Sequence, residues 1–246
     1  MKLLKMCSNK DILKYCNLNE SLTHLTFKYN SFNQSIDGIK FPESITHITF
    51  GDWFNQQLDK IKFPNSLTHL TLGFAFNQPI DKVTFPESLT HLSFESKFNQ
   101  PIDKVTFPKS LTHLTFGSNF HPNLDNVTFP ESLTHLTFRC SFNQSIDKVN
   151  LPKSLTHIIF GENFNQSIEK VKFPKSLKHL TFGDNFNQPI NNLPDSLEVI
   201  TFEKLKYPLN NLPIRLEKII IKKNGNDSIQ KSKIPFGCKI IIDNKN

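Results

Sequence analysis

Residues 110–131 read SLTHLTFGSNFHPNLDNVTFPE, and this stretch decides the fold. Its first part alternates apolar with polar side chains, which is the period of a β-strand. Leu114 and Phe116 then face one side of the strand, whereas His113 and Thr115 face the other. The stretch therefore predicts a short strand with Leu and Phe directed into a core and His and Thr directed outward, followed by a return arm.

The stretch recurs with a spacing of 22 residues, after a first step of 23. Degenerate copies follow at Ser196 and Arg215. A single copy is too short to bury a core of its own, so stacked copies are expected to share a core as a solenoid. The strong copies begin at Ser21, Ser44, Ser66, Ser88, Ser110, Ser132, Ser154 and Ser176.

Proline closes almost every copy, and further prolines interrupt the return arms. Because proline inside a helix removes a hydrogen bond and clashes with the preceding turn, the return arms are predicted to be non-helical. The fold class is therefore mainly β, with one short parallel strand in each coil of about 22 residues. We assign residues 1–20 to an N-terminal cap containing a short helix at 8–15, residues 21–221 to the solenoid, and residues 222–246 to a polar linker and a capping strand.

The motif L-x-x-L-x-F resembles the opening of the leucine-rich repeat, after which the pattern departs from it. The chain instead carries Phe-Asn-Gln-Pro-Ile at residues 76–80, 98–102 and 186–190, which is similar to the motif that names the FNIP repeats. This resemblance implies a leucine-rich-repeat-like solenoid of the kind found in amoebae and their giant viruses. Some relatives carry an F-box, for which residues 1–20 are too few, so the alternative role in a ubiquitin-type pathway would require a separate partner.

Charge and cysteine usage narrow the function classes. The net charge is +7, yet only Arg139 and Arg215 are arginine, so the bidentate contacts that read nucleic acid are scarce. The four cysteines are scattered without metal-ligand spacing, and the first residues predict neither a signal peptide nor a membrane span. Asn33, Asn143 and Asn165 begin glycosylation sequons that we expect to face inward. The sequence therefore predicts a cytoplasmic protein, in the host cytoplasm if it is viral.

Three polar columns follow from the stacking. We interpret the His column as a packed outward surface rather than a metal site, because no carboxylate lies beside it. The Asn column after each Phe is predicted to bond neighbouring backbone at a corner. The acidic column is followed by lysines, which is typical of a solvated turn, and identical repeats cannot supply the two different environments of a catalytic pair. We therefore predict no enzyme activity, no metal and no cofactor.

A binding surface on a repeat protein uses positions that differ between coils on a common frame. The most variable positions directly follow each strand, where Trp53 and Phe74 could form an aromatic anchor. We predict a monomeric, non-catalytic scaffold for an unidentified protein partner, or alternatively a substrate-recognition subunit of a ubiquitin-type pathway. The candidate partner-binding residues are Tyr29, Trp53, Phe74, Glu95, Lys97, Arg139, His47, His69, His91, His113 and His135.

Overall fold

The computed structural model describes residues 3–6, 20–27, 32–223 and 226–243. The chain divides into two compact halves, residues 1–122 and residues 123–246, called the first half and the second half below. Each half is a parallel β-solenoid in which successive coils contribute one short strand apiece. The predicted fold class, mainly β with a leucine-rich-repeat-like solenoid and non-helical return arms, is confirmed.

The strands are short and evenly spaced along the chain. In the described residues of the first half they are β1 (Leu3–Met6), β2 (His24–Phe27), β3 (His47–Thr49), β4 (His69–Leu72), β5 (His91–Phe94) and β6 (His113–Phe116). In those of the second half they are β7 (His135–Phe138), β8 (His157–Ile159), β9 (His179–Phe182), β10 (Val199–Lys204), β11 (Lys218–Lys223) and β12 (Lys239–Ile242). A short helix, α1 (Asn226–Gln230), lies between β11 and β12.

Like residues lie beside like residues because the repeat and the strand pairing share one register. His69 pairs with His91, and Leu70 pairs with Leu92, between parallel β4 and β5. Within β5 the burial alternates, with Leu92 and Phe94 buried and His91 half-buried. The sequence prediction of Leu and Phe inward and His and Thr outward is confirmed.

The coil that contains β4 turns at three corners, and a backbone hydrogen bond closes each of them. In this coil, Phe76 N–H donates to the Gly73 carbonyl oxygen at 3.2 Å, and Val83 N–H donates to that of Ile80 at 3.2 Å. The third corner is the proline turn, in which Leu89 N–H donates to the Pro86 carbonyl oxygen at 3.0 Å. Isolated turns of this kind carry the return arm in place of a helix.

Phenylalanine rings form the core beside the sheet. In the coil of β5, the strand residue Phe94 stacks on the turn residue Phe98 with ring centroids 4.0 Å apart. Phe98 in turn lies parallel to Phe120 of the next coil at 6.0 Å, and Phe94 to Phe116 at 5.9 Å. Two parallel Phe columns therefore run along the stack, which explains why one apolar residue type is reused so heavily.

The ends differ from the sequence prediction in several respects. The predicted helix at residues 8–15 lies outside the described residues, whereas the unpredicted β1 pairs in parallel with β2. Residues 222–233 are not simply a polar loop, since β11 continues to Lys223 and α1 follows. β12 pairs in parallel with β11. No helix among the described residues has the length and apolar character needed to cross a membrane.

Candidate functional site

The outward face of β2 to β6 carries a continuous stack of imidazole rings, called the histidine ladder below. His47 lies parallel to His69 with ring centroids 4.1 Å apart, and His69 lies at the same distance from His91. The interplanar angles of these two pairs are 8° and 13°. The ladder continues to His24 and His113 at its two ends, each with a centroid spacing of 4.1 Å.

A threonine orients each ring of the ladder. Thr68 Oγ1 lies 2.9 Å from His69 Nδ1 and donates a hydrogen bond to the Thr46 carbonyl oxygen at 3.0 Å. A hydroxyl has one hydrogen, and a carbonyl oxygen can only accept, so Oγ1 must accept from the ring. Nδ1 therefore carries the proton and Nε2 carries the lone pair. The same arrangement holds at Thr46 with His47 and at Thr90 with His91.

The environment of the ladder favours neutral rings. Burial, followed by the charges of His113, His69 and His47, lowers the pKa of His91 to about 4. Burial is also the main cause that lowers the pKa of His47, His69 and His113. At neutral pH these four rings therefore form an uncharged, polarisable surface.

The second half carries a shorter version of the same surface. His135 stacks on His157 at 4.1 Å, and His157 stacks on His179 at 4.2 Å. Ile159 replaces the outward threonine of β8 and is 41% exposed. Among the described residues, no group of three or more His, Cys, Asp or Glu side chains is placed to hold a metal ion.

Strands β2 to β6 of the first half contain no Asp, Glu, Lys or Arg. Strands β2 to β6 contain only His, Leu, Ile, Thr, Ser and Phe. The net charge of +7 therefore comes from residues outside these strands. This face therefore offers shape, stacking and hydrogen bonds rather than ion pairs.

The corner after β3 and β4 exposes two large aromatic side chains. Trp53 is 55% exposed and Phe74 is 46% exposed. The Lys97 ammonium nitrogen lies 5.6 Å from the Phe74 ring centroid, which is a cation–π contact. Backbone bonds hold the corner rigid, because Ala75 N–H donates to the Asp52 carbonyl oxygen at 2.6 Å and Lys97 N–H donates to that of Phe74 at 2.9 Å.

The glycine that directly follows Phe116 or Phe160 lies against the backbone of the preceding coil. A Cβ at Gly117 would lie 1.3 Å from the Glu95 carbonyl oxygen, and a Cβ at Gly161 would lie 2.1 Å from that of Arg139. Glycine is therefore required at these two positions, whereas the preceding coils carry the half-buried side chains of Glu95 and Arg139. The structure places both among the variable corner residues, and Tyr29 lies outside the described residues.

The Asn column forms a second ladder at the same corner. Asn77 Oδ1 accepts the Asn99 backbone N–H at 2.9 Å and the Gln100 side-chain N–H at 3.1 Å. The predicted bonding of neighbouring backbone is confirmed. The prediction that the sequon asparagines face inward is wrong for Asn33 and Asn143, which are exposed, whereas Asn165 is half-buried.

Sequence reasoning missed the threonine that precedes each histidine. The signal was present, since Thr precedes His in seven of the eight strong repeats and only His179 follows a lysine, Lys178. Only the distance between Oγ1 and Nδ1 shows that this residue selects the tautomer.

The repeats match the family model described as FNIP Repeat at residues 32–75, 76–119, 119–163 and 164–204. The chain belongs to the FNIP-repeat family. The resemblance drawn from the Phe-Asn-Gln-Pro-Ile motifs is thus confirmed.

One solved structure similar to this FNIP-repeat chain is CroV588 from a giant virus, described as a novel circular LRR protein. The two are 38% identical with a TM-score of 0.69, and the match covers 91% of this chain and 40% of CroV588. A leucine-rich repeat protein from Bacteroides ovatus is 16% identical over 91% of this chain and 75% of its own, with a TM-score of 0.26. No curated protein matches the chain.

Proposed function

We propose that this FNIP-repeat protein is a non-catalytic scaffold that binds a protein partner through the histidine ladder and the adjoining corner of the first half. The observation that carries the proposal is the exposure of Trp53 (55%) and Phe74 (46%) on a corner that backbone hydrogen bonds hold rigid. Exposed aromatic residues on a rigid frame are typical of binding hot spots, since they offer large contact area with little loss of side-chain entropy.

The polar surroundings fit a protein partner. The uncharged strand face can pack against polypeptide without desolvating an ion, and the imidazole Nε2 lone pairs accept hydrogen bonds from amide or hydroxyl donors. Lys97 and Glu95 lie beside the aromatic pair and can supply the polar rim that surrounds such a hot spot. We expect the protein to act as a monomer in the cytoplasm, without nucleic acid.

The experiment compares the partners of three proteins expressed in the native cell. The Trp53→Ala/Phe74→Ala double variant is expected to lose the specific partner that the unchanged chain recovers in affinity purification with quantitative mass spectrometry. Phe236→Ala is the matched control, because it removes an exposed aromatic ring in the second half. Equal recovery by all three proteins contradicts the proposal.

The same purification addresses the alternative role in a ubiquitin-type pathway. That role requires an F-box protein or ligase subunits among the proteins that depend on Trp53 and Phe74. A partner list without ligase components removes the alternative and leaves the scaffold proposal in place.

A further inference from the structure

The regular ladder of Asn and Gln side chains ends in the second half. Asn165 Oδ1 accepts the Asn187 backbone N–H at 2.8 Å and the Gln188 side-chain N–H at 3.1 Å. In the following coil, Lys206 and Tyr207 occupy the places of the Asn and the Gln. No hydrogen bond from this coil to the Asn187 carboxamide oxygen is present in the described part of the chain.

The core column changes at the same level. Phe142, Phe164 and Phe186 stack at intervals of 6.1 Å, and the next coil places Leu205 where these coils have Phe. The coil is also shorter than the regular repeat of 22 residues, since it begins at Ser196 and the next copy begins 19 residues later at Arg215. A leucine side chain fills less of this column than a phenyl ring does.

Together these changes open a cleft of about 600 Å³ between residues 186–191 and residues 205–210. Its walls include the buried side chains of Phe186, Ile190 and Leu205. Its polar groups include the Asn187 carboxamide and the Lys206 ammonium, and Tyr207 lies at its edge with 52% of its surface exposed. Lys206 is the one charged residue among those that line the cleft, and no Asp or Glu is among them.

We propose that this cleft is a peptide-binding site for a short segment in which an aromatic residue stands next to an acidic one. The aromatic ring packs in the cleft at the edge of the Phe column, beside the smaller Leu205 side chain. A backbone N–H of the peptide donates to Asn187 Oδ1, as the Asn backbone N–H of the next regular coil does elsewhere, and the carboxylate pairs with Lys206. We expect a peptide because the next coil normally supplies a backbone N–H to the Asn carboxamide oxygen, as Asn187 does to Asn165. A bound peptide can supply the same kind of donor to Asn187. The site is separate from the histidine ladder and does not depend on the function proposed for it.

Methyl NMR on the full chain tests the site, with Ile190, Leu205 and Leu209 as reporters and Ac-Gly-Phe-Asp-Gly-NH₂ as the probe. We expect saturable shifts of these methyls at peptide concentrations on the order of 1 mM, as befits a small ligand with one buried ring. The Ala peptide Ac-Gly-Ala-Asp-Gly-NH₂ should bind about tenfold or more weakly, because it buries no ring. Equal shifts with the Ala peptide, or none with the Phe peptide, would overturn the proposal.

Two variants locate the binding. Leu205→Phe supplies the missing ring from within the chain, so it is expected to abolish the shifts at Ile190 while raising or preserving the melting temperature. Lys206→Gln removes the ammonium and should weaken the Asp peptide several-fold while leaving Ac-Gly-Phe-Asn-Gly-NH₂ unchanged. Lys172→Gln, an exposed change elsewhere in the second half, is the control and should bind as the unchanged chain does.

The two variants act on different parts of the site, one in the core and one on the surface. Lys206 is exposed, so Lys206→Gln tests the site even where Leu205→Phe disturbs the core. If a folded Leu205→Phe variant binds the Phe peptide as strongly as the unchanged chain does, the assignment is contradicted. The peptide assignment is also contradicted if 3-phenylpropionate shifts the same methyls as strongly as the peptide does. Trp53→Ala/Phe74→Ala should bind the peptide normally, which separates this site from the corner of the first half.

Discussion

Thr68 Oγ1 lies 2.9 Å from His69 Nδ1 while it donates to the Thr46 carbonyl oxygen of the preceding coil. One hydroxyl therefore joins two neighbouring coils and selects the tautomer of the ring above it. Because the arrangement repeats at His47, His91 and His113, the outward face of β2 to β6 is a row of rings with a common orientation rather than a set of independent histidines.

Removal of this hydroxyl should destabilise the fold and release the tautomer. Thr68→Val keeps the shape of the side chain but leaves the Nδ1–H without its acceptor, at a cost of about 1–2 kcal/mol. Denaturant unfolding measures the cost, and ¹⁵N chemical shifts of His69 report the tautomer. Thr71→Val is the matched control, since Thr71 points outward on the same strand. The hypothesis is contradicted if His69 keeps a pure Nδ1–H form in the Thr68 variant.

Acid should destabilise the first half. The pKa of His91 is lowered from 6.5 to about 4 in the folded chain, and those of His47, His69 and His113 are lowered as well. The unfolded chain therefore binds more protons than the folded chain as the pH falls below 6.5, so stability is lost through this window down to about pH 4. We expect the melting temperature at about pH 5 to lie at least about 3 °C below that at about pH 7.5.

A variant assigns that pH dependence to the ladder. His69→Asn/His91→Asn removes two central rings and should flatten the dependence of melting temperature on pH. A melting temperature that does not fall on acidification would falsify the prediction.

Gly117 should tolerate no side chain. A Cβ there would lie 1.3 Å from the Glu95 carbonyl oxygen, so Gly117→Ala forces two coils apart and should cost about 3 kcal/mol or more. Gly38→Ala is the control, because a Cβ at Gly38 meets nothing within 4 Å. Its φ of +78° still makes alanine unfavourable there by about 1–2 kcal/mol. Equal stability losses for the two variants in chemical denaturation would contradict the steric explanation.

The inner and outer phenylalanines should differ sharply in their contribution to stability. Phe98 is fully buried between Phe76 and Phe120, so Phe98→Ala should lower the free energy of unfolding by about 3–5 kcal/mol. Phe74→Ala alters an exposed ring 24 residues earlier and should change it by about 0.5 kcal/mol or less. A large loss of unfolding free energy in Phe74→Ala would mean that the Phe74 ring stabilises the fold, which would contradict its assignment to partner binding.

Much of the fold could be predicted from the repeat. The alternation at Leu114 and Phe116 predicted the buried face of each strand, and the prolines excluded helical return arms. The direction of the Asn33 and Asn143 side chains was predicted wrongly, because a one-dimensional pattern does not show on which side of a corner an amide meets the next coil. The Thr68–His69 contact and the cleft at Leu205 also escaped prediction, since each depends on distances across neighbouring coils.

The amino-acid sequence by itself determined the stacking, because residues that recur every 22 positions can satisfy their apolar side chains only against their own copies. The tertiary structure decided the chemistry of the surface. Whether a histidine is neutral, which of its nitrogens holds the proton and where a gap opens between coils all depend on separations of a few ångströms between residues about twenty positions apart. Those separations exist only once the coils are packed.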